Sequence, residues 1–243
     1  MKKNIESAGP CKALFMAGLL AAPLLALDAK AITYTDLTWT PQNVLPDPSG
    51  ATGGYALWSD PANWSAGNVP SIADPGTGNP DKVHFNQSAE SIIPCVIDNY
   101  AAELGALVIG DWGGGGSLII TNGGSLRAGF AAPGGEWTGV GFPQSASTLY
   151  IGKDSSAAFG SHLWVGNGTN NDGTANMGFI TVDGGTLSIT NGQLGLGWNG
   201  TGGTNYMVVT NGGKVFLRNW DNSTLGMPGN NSRGQLDLST GGS

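Results

Sequence analysis

The hexapeptide TNGGSL at 121–126 returns as TNGGKV at 210–215, and a turn of the same kind, VDGGTL, stands at 182–187. Nothing else in the chain limits its fold so tightly, because self-similarity at a fixed period is the signature of a repeat architecture. The first glycine of each x-G-G turn gives the anchors Gly123, Gly184, Gly212 and Gly241. The first step is double, and Asp154 in YIGKDSSAAF fills its midpoint, so the steps become 31, 30, 28 and 29 residues. A second series, Gly110, Gly141, Gly166, Gly197 and Gly226, runs between these anchors in steps of 31, 25, 31 and 29. Two independent anchors with one common period define a unit of about 30 residues.

Each unit carries short apolar strands on either side of the turn. Leu118/Ile120, Met207/Val209 and Leu236/Leu238 precede it, while Leu126, Leu187/Ile189 and Val215/Leu217 follow. A spacing of two places such side chains on one face of a strand. The copy at Ile180/Val182 is displaced by one residue, which marks either a local bulge or an imprecise alignment of that copy. One unit cannot close a core, but stacked units bring like strands side by side and bury a continuous apolar column. Parallel neighbours need crossovers, which are right-handed in nearly all cases. The expected fold is therefore all-β, a right-handed parallel β-helix of about five coils. An antiparallel β-sandwich also suits short strands and Gly-rich turns, yet it requires no fixed period.

The turn chemistry follows. Gly123, Gly184 and Gly212, each paired with the next glycine (Gly124, Gly185, Gly213), are expected to turn the corner at positive φ. Asn122, Asp183 and Asn211 precede the pairs; Asn tolerates such a corner, and stacked Asn side chains bond along a column.

Residues 32–104 have another texture, with Trp39, Trp58, Trp64 and a high proline content. They read as an N-terminal β capping segment, since the first coil of a solenoid needs its apolar end covered. Residues 105–243 are the repeats, and LDLSTGGS breaks off inside the last one. Residues 1–31 read as a signal peptide: Lys2, Lys3 and Lys12 flank the apolar run ALFMAGLLAAPLLAL, and AKA offers a cleavage site after Ala31. The run is shorter than the ~20 residues of a membrane span, so no span is expected in the mature chain. Without the leader the formal charge falls from −7 to −9, which disfavours nucleic acid as a partner. Cys95 is then the one remaining cysteine and reads as a buried small hydrophobe.

The stretch ALWSDPANWSAGNVPSIADPGTGNPDKVHF, through Trp58, Asn63, Trp64, Val69, Pro70, Asp81, Val83 and Phe85, resembles the opening module of secreted bacterial surface proteins with β-strand repeats. The following SLIITNGGSL resembles autotransporter passenger-type repeats and related proteins with C-terminal sorting tags. The resemblance implies a fold and a surface location, not a reaction.

Catalytic and metal motifs are sparse. GLGWNG at 195–200 matches a dinucleotide fingerprint in spelling, but a loop and a strand follow where that motif needs a helix. His84 and His162 stand apart in sequence. Asp154 and Asp183 would stack one coil apart, where two acids could hold Ca²⁺ or simply replace corner Asn. No cofactor or metal is expected. Trp112, Trp198 and Trp220 lie in the repeat region; exposed in a row they would stack on sugar rings, and buried they would pack corners. The sequence thus points to an exported, non-catalytic surface or matrix protein of adhesin-like type, partnered by surface glycans or by copies of itself. The alternatives are a carbohydrate-binding module using those tryptophans and a polysaccharide-active β-helix enzyme.

Overall fold

A computed structural model describes residues 32–47, 53–73, 77–111, 113–131, 138–141, 146–166, 177–197, 204–218, 224–225 and 233–238. The leader read at 1–31 lies outside them. The described residues are all-β apart from one 3-10 turn, Pro61–Asn63, and their strands form three parallel sheets.

Sheet 1 runs β1 (Thr35–Thr38), β3 (Asp81–Phe85), β6 (Ala106–Ile109), β9 (Thr138–Val140), β12 (Leu163–Val165), β15 (Leu194–Leu196) and β18 (Thr224–Leu225). Sheet 2 runs β2 (Ala56–Leu57), β4 (Cys95–Asp98), β7 (Gly116–Thr121), β10 (Ala146–Ile151), β13 (Met177–Asp183), β16 (Thr204–Thr210) and β19 (Arg233–Leu238). Sheet 3 runs β5 (Ala101–Leu104), β8 (Ser125–Ala128), β11 (Ser156–Phe159), β14 (Thr186–Ile189) and β17 (Lys214–Leu217). From β4 onward the chain visits sheet 2, sheet 3 and sheet 1 in that order and repeats the circuit.

Register makes the stacking residue-specific. Cys95, Leu118, Leu149, Ile180, Met207 and Leu236 pair in one column of sheet 2, and Ala102, Leu126, Ala157, Leu187 and Val215 in one column of sheet 3. Leu118, Leu149, Ile180, Leu126 and Leu187 are almost fully buried in one core cluster. Burial of each such side chain contributes about 1.5–3 kcal/mol. Volumes compensate along the columns: Phe159 is stacked on Ala128, and Ala157 sits between Leu126 and Leu187.

Of the two readings of the Ile180/Val182 copy, the bulge is absent. Val182 pairs in step with Ile151 and Val209. The corner beyond it is one residue shorter than its neighbours, which displaces the anchor glycine and not the strand.

Residues 32–104 contribute β1 to β5, which join the same three sheets. Here the residues of the stretch around Trp58, Asn63 and Trp64 pack together. Trp39 and Trp58 flank Trp64 edge-on at 4.8 and 4.7 Å, and Phe85 packs against Trp39 at 5.8 Å. Asn63, fully buried, ties this cluster to the chain: its Nδ2 donates to Leu57 O, and its Oδ1 accepts from the Gln42 and Asn43 amides. Trp64 Nε1 donates to Trp58 O at 2.8 Å, and Asp81 Oδ2 accepts from the Ser71 amide. Trp39 Nε1 donates across the sequence to Ile93 O at 3.2 Å. An aromatic core tied to the backbone in this way is one means of closing the end of an apolar column.

Candidate functional site

The repeated corners lie between sheet 2 and sheet 3. Gly123, Gly184 and Gly212 have φ of +79°, +70° and +78°. Their partners are held differently. A Cβ on Gly124 would lie 2.6 Å from Ile97 O, on Gly185 2.5 Å from Gly152 O, and on Gly213 2.3 Å from Val182 O. The first glycine therefore answers to conformation and the second to contact with the backbone of the previous circuit. Ser155 occupies the second place in the β10–β11 corner, where its Oγ accepts from the Gly123 amide at 3.2 Å.

Asn122 and Asn211 share the left-handed conformation at φ +52° and +51°, as does Asp154 at +61°. The asparagines do not form one continuous ladder. Asn122 Nδ2 donates to Asp98 Oδ1 at 2.7 Å, and Asn211 Nδ2 donates to Asp183 Oδ1 at 2.6 Å. The circuit of Lys153 and Asp154 stands between the two pairs. Both acceptors close a strand before a short corner, turned by Asn99 at φ +46° in one case and by Gly184 in the other. Asp98 and Asn99 were not among the expected corner residues because no GG pair marks them.

Asp183 is the most engaged acid of the column. Its Oδ2 accepts from Tyr150 Oη at 2.7 Å, so both its oxygens have partners within the protein. These bonds, Asn211 first and Tyr150 second, hold its carboxyl below the usual range. Burial and the adjacent Asp183 push the Tyr150 phenol up to about 12. Asp183 thus acts as a cross-circuit acceptor. Among the described residues no group of three or more His, Cys, Asp or Glu side chains could hold a metal ion.

A second polar cluster lies on sheet 1. His84 Nδ1 meets Asp111 Oδ2 at 2.7 Å, and its Nε2 meets Asp36 Oδ1 at 3.1 Å. The ring bridges β1, β3 and the turn after β6. The Asp111 bond raises its pKa, against burial and Lys82, with Asp36 assisting. His162 serves elsewhere: its Nδ1 accepts from the Gln193 amide at 3.1 Å, and its ring stacks on Trp164.

The coil glycines Gly110, Gly141, Gly166 and Gly197 all have positive φ, between +66° and +80°. Gly197, the second glycine of the GLGWNG spelling, is thus a corner residue that follows β15. Cys95 is fully buried, and burial pushes its thiol pKa well up. Trp112, Trp198 and Trp220 lie outside the described residues. No helix of the described residues is long and apolar enough to cross a membrane.

Sequence reasoning missed a buried polar column in sheet 2. Gly116, Ser147 and Gly178 pair in one register position, and Asn205 directly precedes Tyr206, the register partner of Phe179. Ser147 Oγ accepts from the Gly116 amide at 3.3 Å, and Asn205 Oδ1 from the Gly178 amide at 2.8 Å. Glycine alternates with a polar residue because a Cβ on Gly178 would lie 2.4 Å from Val140 O. Only the register exposes the alternation.

No protein-family model matches this chain, and neither a curated protein nor a solved structure matches it.

Proposed function

We propose that the chain is an exported, non-catalytic β-solenoid that serves as a structural or adhesin-like element of a bacterial surface or matrix. In this reading it is a right-handed parallel β-helix of five coils of about 30 residues behind a β capping segment. The observation that carries the reading is the recurring order of the three sheets, with equivalent side chains stacked in register from β4 to β19. Parallel crossovers of this kind are right-handed in nearly all cases. Such an array gains stability from each added circuit and presents the same outward columns along its length. The polar clusters favour a structural role: Asp98, Asp183, Asp36 and Asp111 all accept bonds that tie one strand or circuit to the next. The leader and the motif around Trp58 and Trp64 support export to a surface.

The test is expression from Met1 in a bacterial host, with fractionation, N-terminal sequencing and an attachment assay. The expected outcome is protein outside the cytoplasm that begins ITYTDL and increases attachment of the cells, with no sugar released from polysaccharides. Retention in the cytoplasm would overturn the surface role, and sugar release that Asp183→Asn abolishes would replace it with an enzyme.

A further inference from the structure

A cleft of about 310 Å³ opens on the outward face of sheet 2, near the start of the stack. Its size falls at the lower end of the ~300–1,000 Å³ typical of ligand sites. Pro94, Val96 and Ile119 line it with apolar surface, and Tyr55 adds an aromatic ring. Val96 and Ile119 are paired neighbours in β4 and β7, so the rigid sheet sets their spacing. Asp98 and Asp47 also line the cleft, and no basic side chain is among its described lining residues. The whole chain carries a formal charge of −7.

From this we infer that the cleft receives a lysine side chain of a partner polypeptide. The aliphatic stem lies along Val96, Ile119 and Tyr55, and the ammonium meets Asp98. Three observations select this occupant. An apolar surface ending in carboxylates matches an apolar stem ending in a cation. Asp98 already uses one oxygen to accept from Asn122 Nδ2. A guanidinium fork needs two carboxylate oxygens for its bidentate geometry, whereas an ammonium is a point charge that needs one. A neutral sugar ring needs donors as well as acceptors and a broad aromatic platform, but Tyr55 is the single aromatic among the described lining residues. The inference goes beyond the surface-protein reading and does not depend on it, since the cleft exists whichever compartment the chain occupies.

The test is NMR titration of the methyl-labelled full chain with Nα-acetyl-lysine amide, alongside its norleucine and arginine counterparts and methyl glucoside. The lysine probe is expected to shift the Val96 and Ile119 methyl signals saturably, in the millimolar range. Norleucine, which keeps the stem and lacks the charge, should bind about fivefold more weakly, the scale of one partly exposed charge pair. Asp98→Asn retains an acceptor for Asn122 and should remove that fivefold difference while leaving the spectrum of the folded core unchanged. Lysine and norleucine binding equally to the parent protein would overturn the inference, as would lysine binding unaffected by Asp98→Asn. So would an absence of saturable shifts, tighter binding of the arginine probe, or methyl glucoside alone moving these signals.

Discussion

Of the two glycines at each sheet 2 to sheet 3 corner, the second should be the costlier to replace. In the β16–β17 corner, Gly212 stands at φ +78° with no atom within 4 Å of an added Cβ. Gly212→Ala therefore meets only the intrinsic cost of a left-handed residue, about 1 kcal/mol. Gly213 has an ordinary φ, but its added Cβ would lie 2.3 Å from Val182 O and 3.0 Å from Thr210 O. Both obstacles are backbone atoms. Thr210 O also accepts the Gly213 amide at 2.8 Å, so the turn cannot open without losing that bond. Gly213→Ala should cost about 3 kcal/mol, the upper range for forced overpacking. With a urea dependence of about 3 kcal/mol per molar, the midpoints should fall by about 0.3 M for Gly212→Ala and about 1 M for Gly213→Ala. Gly212→Asn should be nearly neutral, because Asn122 and Asn211 already hold this conformation. Equilibrium urea melts of the three variants would measure the order. A larger shift for Gly212→Ala than for Gly213→Ala would refute the division of labour between conformation and contact.

Three further outcomes are expected. Because its folded pKa is raised, His84 contributes stability that is full below its unfolded pKa of about 6.5 and is lost as pH rises through the folded value; urea midpoints at about pH 5 and 9 should show this fall, and His84→Gln should abolish it. Tyr150 should titrate near 12 by ultraviolet absorbance, and its stabilising contribution should decline above about pH 10 as the unfolded phenol ionises first; Tyr150→Phe should remove that decline and let the Asp183 carboxyl, followed by NMR, rise toward its ordinary pKa. Asn205→Ala should cost about 1–3 kcal/mol in a urea melt, because it leaves the buried Gly178 amide without its acceptor.

The circuit was legible wherever glycine marks it. The spacing of Gly110, Gly141, Gly166 and Gly197 equals the register of Ile109, Val140, Val165 and Leu196, because each glycine directly follows its sheet 1 strand. The first circuits were hidden for the converse reason. Asn99 alone turns the corner after β4, and Leu118 follows Cys95 in register after only 23 residues, so neither the GG signal nor the period survives there. The displaced copy at Val182 had the same origin, a corner shortened by one residue. Polar contacts between circuits were less legible still. The Asp98–Asn122 bond, the His84 bridge and the Ser147 and Asn205 bonds each join residues 20 or more positions apart, whose adjacency only the register reveals. The cleft beside Tyr55 belongs to the same class, since Tyr55, Val96 and Ile119 come from three separate strands or turns.

The in-register stack is tested most directly by disulfide trapping on the outward face of sheet 3. Arg127 and Ala158 are register partners in β8 and β11, as are Ser188 and Phe216 in β14 and β17. Facing Cα atoms on paired strands lie about 4.8 Å apart, within disulfide range. Arg127 and Ser156 are displaced by two residues, which places their Cα atoms about 8 Å apart and out of range. Under mild oxidation, double-cysteine variants at Arg127/Ala158 and at Ser188/Phe216 should close intramolecular bridges, whereas Arg127/Ser156 should stay reduced. Bridges at Arg127/Ser156 with none at the two register pairs would contradict the stacked parallel circuit.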